Sequence, residues 1–223
     1  MPRAGVDLLS PITPGKVICV GLNYADHAKE QGLETPRQPV IFAKFPSAVV
    51  GPESPILKPA EVQQLDYEAE LGVVIGREAK RVSEGNAMEF VAGYVAINDI
   101  SARDFQFEDG QWVRGKSLDT FCPTGPALVT TDEISDVHDL AIQCWVNGER
   151  RQTSSTANLI FGVSELIEFC SRFFTLHPGD VIATGTPGGV GMFLHPPQFL
   201  NEGDVIEVEV EKVGRLRNVV VSM

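Results

Sequence analysis

The sequence predicts an α+β chain dominated by β structure. Residues 205–211 (Val-Ile-Glu-Val-Glu-Val-Glu) alternate with period two. Asn147-Gly148, a strong two-residue hairpin signal, separates two strand-like runs. Short apolar runs rich in β-branched residues recur at 16–20, 39–45 and 91–100, while a single long helical stripe appears near residue 170. With 223 residues, 43% of them hydrophobic, the chain can bury a sizeable core as one large or two small domains.

Taken in order, a proline-containing lead (1–15) precedes a short buried-type strand at 16–20, closed by Gly21. Asn23 reads as the N-cap of a helix from 24 to about 31, with Asp26 at its third position. That helix puts His27 and Glu30 on one face, three residues apart, so the carboxylate can accept from one ring nitrogen and leave the other free as a base. Alone, the pair reads better as an exposed ion pair on a short helix. Residues 32–38 are polar and Pro-broken, a surface loop and candidate lid; 39–45 is a strand in which Lys44 needs an outlet or an anionic partner. Residues 51–59 read as turns.

Residues 66–76 form the strand around which the chain is organised. Tyr67, Ala69, Leu71, Val73 and Ile75 make one apolar face, and Asp66, Glu68 and Glu70 occupy the other before it turns apolar at Gly72 and Val74. Acids are poor strand formers. They mark either a solvated face or a hard-cation site, because residues i and i+2 point the same way about 7 Å apart. The strand at 91–100 brings another acid, Asp99, to its end.

A helix capped by Ser83 is expected over 83–90, and a helical turn over 101–106 places Arg103 and Gln106 beside Asp99. A turn follows at Asp109-Gly110, then a polar insertion at 115–119; Arg103 and Lys116 there read by default as surface charge. A strand over 140–146 leads into the hairpin. An amphipathic helix over 164–175 carries Leu166, Ile167, Phe169, Cys170, Phe173 and Phe174 as its core stripe. A strand at 181–184 opens into the Gly-rich loop 185–191, which has neither the P-loop lysine nor a following dinucleotide helix. Its N–H groups and threonines could hold a carboxylate or enolate oxygen.

A net charge of −12 and a pI near 4.7 exclude a nucleic-acid or anionic-membrane partner on electrostatic grounds. The four cysteines are widely spaced, without a C-x-x-C pair, which argues against a disulfide framework or zinc site. No apolar run reaches a membrane span and the N-terminal stretch has no signal-peptide pattern, so a cytoplasmic location is expected.

Five ordered motifs together resemble the fumarylacetoacetate hydrolase superfamily: residues 20–27 (Val-Gly-Leu-Asn-Tyr-Ala-Asp-His), 67–76, 98–104 (Asn-Asp-Ile-Ser-Ala-Arg-Asp), 115–117 (Gly-Lys-Ser) and 184–191 (Thr-Gly-Thr-Pro-Gly-Gly-Val-Gly). The resemblance implies a mixed β-sandwich roll over 16–223, usually a homodimer. It implies Mg²⁺ or Mn²⁺ held by Glu68, Glu70 and Asp99, a place Ca²⁺ can take in a crystal. It assigns the catalytic proton to His27 with Glu30, and oxyanion or enolate stabilisation to Lys116. Arg103, Gln106 and Thr186 match substrate-contacting positions, and Lys44 joins them as a substrate-binding candidate. Acylpyruvase members often carry Arg where this chain has Leu22.

The implied substrate is a small 2-oxo or enol carboxylic acid whose carboxylate and keto oxygens replace waters on the cation. If His27 activates water against a C4 carbonyl, the enzyme is a C–C hydrolase of acylpyruvate or fumarylpyruvate type, the first expectation. If His27 only moves a proton, it is an oxaloacetate tautomerase or decarboxylase, or a dienoate isomerase or hydratase. A non-catalytic metal-binding homologue is the third alternative. A short or moderately polar substrate tail is expected.

Overall fold

Short apolar runs of this kind can be buried only by pairing into sheets, and the computed structural model, which describes residues 7–108 and 110–223, pairs them into two large ones. Residues 1–6 of the expected 1–15 lead, and Asp109 of the expected turn, lie outside the described residues. In chain order the strands are β1 (Val17–Gly21), β2 (Val40–Lys44), β3 (Val49–Val50), β4 (Pro55–Lys58), β5 (Leu65–Asp66), β6 (Ala69–Ile75), β7 (Val91–Asn98), β8 (Ser101–Ala102), β9 (Cys122–Thr130), β10 (Ala141–Val146), β11 (Glu149–Ser155), β12 (Val181–Ala183), β13 (Val205–Val210) and β14 (Gly214–Ser222). The α-helices are α1 (Ala25–Glu30), α2 (Arg103–Glu108), α3 (Val113–Lys116) and α4 (Val163–Phe173).

One sheet has seven strands in the order β2-β1-β12-β6-β7-β9-β3, and the other five in the order β11-β10-β13-β14-β4. They pack face to face through β6 and β7 against β10, β13 and β14. The main core, including Leu71, Val73, Ile75, Ile142, Val208 and Val210, lies between them. A second cluster, with Val17, Cys19, Val74, Val95, Ile97 and Cys122, covers the far face of the seven-stranded sheet. Strand β6 is therefore buried on both faces along its whole length. Its Gly72 is obligatory in that packing: a Cβ would stand 2.5 Å from Ile97 Cδ1 and 2.7 Å from Val95 Cγ2.

The register of this sheet assembles the acids. Strands β6 and β7 pair antiparallel with Ala69 opposite Asn98, so the chain entering β6 lies beside the chain leaving β7. The Asp99 N–H donates to the Glu68 carbonyl at 2.9 Å, and the Glu68 N–H to Asn98 Oδ1 at 3.1 Å. Strand β12 lies on the other side of β6, with Ala183 opposite Gly72, which delivers the Gly-rich loop next to Glu70.

Several local expectations change. Tyr24, not Asn23, occupies the cap of α1, and no side chain caps it. Asn23 instead donates to the Phe161 and Thr184 carbonyls and accepts from the Phe161 N–H, a long-range tie that outcompetes capping. Residues Glu84–Phe90 form a 3₁₀-helix without a Ser83 side-chain cap. The turn-rich stretch contains β4, and the expected insertion at 115–119 includes the end of α3. On α4, Leu166, Ile167 and Cys170 are buried, but Phe173 is exposed and stacks edgewise on Phe169. Among the described residues all four cysteines are free and buried.

Candidate active site

Glu68, Glu70 and Asp99 each present a carboxylate oxygen within 4.8 Å of the others, and all three are buried. The solvated-face reading of these acids fails, and so does the surface-charge reading of Arg103 and Lys116, both buried. Lys116 Nζ donates to Glu68 Oε2 at 2.7 Å and to Asp99 Oδ2 at 2.9 Å. Arg103 Nη1 pairs with Glu68 Oε1 at 2.7 Å, and its Nε donates to Asp66 Oδ2 at 2.9 Å. Its Nη2 stands 2.8 Å from Asp66 Oδ2 as an ion pair outside hydrogen-bond alignment. Burial alone would raise the Glu68 carboxyl, but Lys116 and Arg103 outweigh it and hold the group at about 2. Burial would lower the Lys116 ammonium, but Asp99 and Glu68 hold it above its usual value.

Glu70 differs. It is 1% exposed, and its recorded hydrogen bond is to the Gly185 N–H at 2.9 Å. Among the described residues it makes no ion pair. Burial first, then the neighbouring Asp99 and Glu68 carboxylates, push its value well above the ordinary carboxylate range. A buried carboxylate surrounded by acids and lacking a cation is the condition that a hard divalent ion relieves, so the donor set fits such an ion. Lys116, bonded to both Glu68 and Asp99, is the competing cation.

Lys44 does not reach the substrate cavity. It is buried, donates to Asp99 Oδ1 and to the Ile100 carbonyl at 3.0 Å, and is absent from the cavity lining. The anionic partner its apolar strand demanded is Asp99, so it acts as a prop for that acid rather than a contact for substrate.

His27 and Glu30 meet as expected, Nδ1 to Oε2 at 3.1 Å. The other ring nitrogen is not free: Gln31 Nε2 lies 2.7 Å from Nε2. With Glu30 accepting from Nδ1–H, Nε2 carries the lone pair and Gln31 donates to it. The ring packs edgewise on Phe193, centroids 5.8 Å apart. Partial burial works to raise Glu30, yet the bonds from His27 and the Gly189 N–H hold it below its usual value.

Five amides along the Gly-rich loop and its exit are turned to the protein's own carboxylates. Gly185 N–H donates to Glu70, Gly188 to Asp26 at 3.4 Å, Gly189 to Glu30 at 3.0 Å, and Gly191 and Met192 to Asp66 at 2.8 and 3.0 Å. The loop thus ties the His27–Glu30 pair to the acid cluster. Gly191 has no room for a side chain: its Cβ would meet the Gln198 carbonyl at 2.1 Å and Asp66 Oδ1 at 2.6 Å. Asp66, Asp26, Gln31 and Gln152 are the residues sequence reasoning missed in these roles. Gln152 donates to Thr186 Oγ1 and the Pro187 carbonyl, both at 2.8 Å, from a strand more than thirty residues away. Asp66, in the acidic step, and Asp26, in the first turn of the helix, gave some signal in sequence; Gln31 and Gln152 gave none.

His27, Gln31, Glu68, Glu70, Arg103, Gln106, Lys116 and Thr186 all line one cavity of about 400 Å³. Its walls also carry Phe42, over whose ring Lys116 Nζ sits at 5.2 Å, and Trp112, edge to face with Phe42 at 5.2 Å.

Comparison with known proteins places this arrangement. The family profile described as fumarylacetoacetate (FAA) hydrolase C-terminal matches residues 16–221. Oxaloacetate tautomerase Fahd2a, mitochondrial, of Rattus norvegicus is 51% identical over 223 residues, covering 99% of this chain and 71% of that protein. Oxaloacetate tautomerase FAHD2A, mitochondrial, of Homo sapiens is 49% identical over 224 residues, with 99% and 71% covered. The crystal structure of 5-carboxymethyl-2-hydroxymuconate delta-isomerase from Mycobacterium smegmatis superposes with a TM-score of 0.89 at 46% identity, covering 100% of this chain and 85% of that one. Fumarylacetoacetate hydrolase from Exiguobacterium antarcticum gives 0.91 at 48% identity, covering 96% and 78%. The cytoplasmic expectation is overturned, since the rat and human relatives are named as mitochondrial. The mixed-sheet fold, the buried Glu-Glu-Asp cluster and the match over nearly the whole chain agree: the protein belongs to the fumarylacetoacetate hydrolase family of enzymes.

Proposed function

We propose that the protein interconverts the keto and enol forms of a small 2-oxo acid of the oxaloacetate type, rather than hydrolysing a C–C bond. The observation that carries this reading is the fate of the Gly-rich loop. A C–C hydrolase must stabilise an oxyanion at the attacked carbonyl, commonly with backbone N–H donors. Here the N–H groups of Gly185, Gly188, Gly189, Gly191 and Met192 are already bonded to the protein's own carboxylates. The cavity keeps Gln106 and Lys116 for charge on a single oxygen, and His27 with Glu30 for moving a proton. The names of the 51% and 49% identical relatives favour the same chemistry.

In this reading Glu68, Glu70 and Asp99 hold Mg²⁺ or Mn²⁺, which when bound acts as a Lewis acid for the 2-oxo acid head. The Gln106 amide and the Lys116 ammonium line the same cavity and stabilise negative charge developing on the C2 oxygen. His27 Nε2 takes the C3 proton once substrate displaces the Gln31 amide, and returns a proton to the oxygen. Glu30 accepts Nδ1–H throughout, fixing the tautomer and stabilising the imidazolium. Thr186, anchored by Gln152, borders the substrate. Arg103 orients Glu68 and Gln106, its Nη1 lying 3.0 Å from Gln106 Oε1.

The test follows enol absorbance and carbon balance together, with oxaloacetate and acetylpyruvate as substrates, in Mg²⁺, Mn²⁺ and EDTA. Accelerated enol decay of oxaloacetate without CO₂ or pyruvate release, lost in EDTA, is the expected result. Pyruvate released from acetylpyruvate would replace this reading with the hydrolase.

A further inference from the structure

The acid end of the cavity does not account for the rest of it. About 400 Å³ lies within the range of pockets that enclose drug-sized ligands, and a four-carbon acid fills only part of it. The floor is charged and buried; the mouth is ringed by Leu33, Val40, Phe42, Phe107, Trp112 and Phe193. Leu33 and Phe107 are 53% and 52% exposed, large apolar side chains left facing water at the entrance. The rings behind them are packed in place. Trp112 lies so close to the chain that a Cβ at Gly21 would stand 2.6 Å from it, and it also meets Phe42 edge to face. Among the described residues the cations lining the cavity, Arg103 and Lys116, are both committed to Asp66, Glu68 and Asp99 at the floor. A group that reaches past a four-carbon acid into the mouth leaves these two cations behind and meets aromatic rings, so an apolar tail loses less there than a charged one once water is displaced.

We propose that the cavity pairs a charged floor for the 2-oxo acid head with an aromatic mouth for an apolar tail, so that the enzyme also tautomerises 2-oxo acids bearing an aryl or branched alkyl group on C3. The proposal rests on the tautomerase reading of His27. The step is balanced within substrate and protein: the C3–H bond breaks, C2=C3 forms, and C2=O becomes C2–O–H. His27 carries the proton between the two positions. No group leaves and no oxidant is consumed.

The experiment has a binding arm and a turnover arm. In the first, calorimetry compares oxamate with its N-phenyl derivative oxanilate, inert mimics of a bare and an aryl-bearing 2-oxo acid. Oxanilate should bind at least about ten-fold tighter, the scale of discrimination a hydrophobic pocket provides. Equal affinity overturns the proposal whatever the activity. In the second, enol decay is followed for phenylpyruvate, 4-methyl-2-oxopentanoate and oxaloacetate. Turnover of all three supports it. Turnover of oxaloacetate alone overturns the proposal and leaves the tautomerase reading standing, while turnover of none overturns both. Phe107→Arg, at an exposed position on α2, adds a cation to the mouth. It should cut the oxanilate-over-oxamate preference by about ten-fold and shift the turnover ratio toward oxaloacetate; an unchanged preference removes the mouth from substrate recognition.

Discussion

Two stretches of this chain carry the same alternation of acids and end up in opposite environments. Asp66, Glu68 and Glu70 lead into β6; Glu207 and Glu209 lie along β13, with Glu211 just beyond it. On β13 Ile206, Val208 and Val210 turn inward while Glu207 and Glu209 meet Arg215 from β14 on a wet face. On β6 the acids are as buried as the leucine and valines beside them. The difference lies in the neighbouring residues rather than the acids. After Glu70 both faces of β6 become apolar, because the strand runs through the middle of a sheet covered on both sides, whereas β13 belongs to a sheet with one wet face. An acid at the end of a doubly buried strand must find a cation, and this chain supplies three, Lys44, Arg103 and Lys116, for the four carboxylates Asp66, Glu68, Glu70 and Asp99.

The sharpest way to break that contrast is to remove Asp99. Asp99→Ala strands Lys44 as a buried cation and takes from Lys116 one of its two carboxylates, leaving it Glu68, and should cost about 3–5 kcal/mol of stability. Chemical denaturation should also show Asp99→Asn retaining more stability than Asp99→Ala. Glu70→Gln should behave in the opposite sense: it abolishes tight Mg²⁺ binding in calorimetry, yet stabilises the metal-free protein. The sign follows from the raised Glu70 carboxyl, whose contribution to stability is full below the ordinary carboxylate range and is lost as pH rises through its native value. Glu68, held at about 2, contributes above the ordinary range and loses that contribution as pH falls toward 2. Melting curves in EDTA should therefore show the advantage of Glu70→Gln growing with pH above the ordinary carboxylate range. A constant offset at all pH values would mean that Glu70 already has a cation.

His27→Ala tests the catalytic half. It should lower turnover by roughly 10²–10⁴-fold, the usual size of a general-base contribution, with Mg²⁺ affinity unchanged. Asp66→Asn should have a smaller effect, about ten-fold on kcat at little change in KM. It loosens the loop end and Arg103 without touching substrate, and each of its bonds is of the charge-assisted kind worth a few kcal/mol. A rise in KM with kcat intact would place Asp66 in binding instead.

Short-range spacing brought Glu68 with Glu70 and His27 with Glu30 into view, i, i+2 on a strand and i, i+3 on a helix. Each pair also read as surface charge, and the choice between readings came from the five ordered motifs and the family they resemble. Asp99 stands just past the end of a separate strand. The Asn147-Gly148 hairpin was legible from two adjacent residues, both standing at positive φ. What escaped was set by partners far along the chain. Asn23 looks like a cap until Phe161 claims its side chain, 138 residues away. The amides of the Gly-rich loop look available until Asp26, Glu30, Asp66 and Glu70 are folded onto them. Strand β9 was hidden by its own prolines, Pro123 and Pro126, and β14 by an Arg- and Asn-containing start that gives no clean alternation. The apolar mouth is assembled from the loop after α1, β2, α2 and the end of the Gly-rich segment, so no single stretch announces it.

The wet acids of β13 give the smallest effect and complete the comparison. Arg215 donates to Glu209 at 2.6 Å and to Glu207 at 3.4 Å, and lies over the Trp145 ring at 4.2 Å. By distance these contacts match the ion pairs of the buried site. Arg215 is nevertheless 46% exposed in its side chain, so water and salt screen the attraction and the ordering of a long side chain offsets much of what remains. Arg215→Ala should therefore cost only about 0–1 kcal/mol in the metal-free protein, and part of that should vanish at high salt. Glu209→Gln should cost less still, since Arg215 keeps both Glu207 and the indole face. Denaturation of these variants beside Asp99→Ala, at low and high ionic strength, separates the two classes: the buried pair keeps its cost in salt and the wet pair does not. A loss above about 2 kcal/mol for Arg215→Ala, insensitive to salt, would mean that this face is covered in solution and that the two acidic strands are more alike than the single chain suggests.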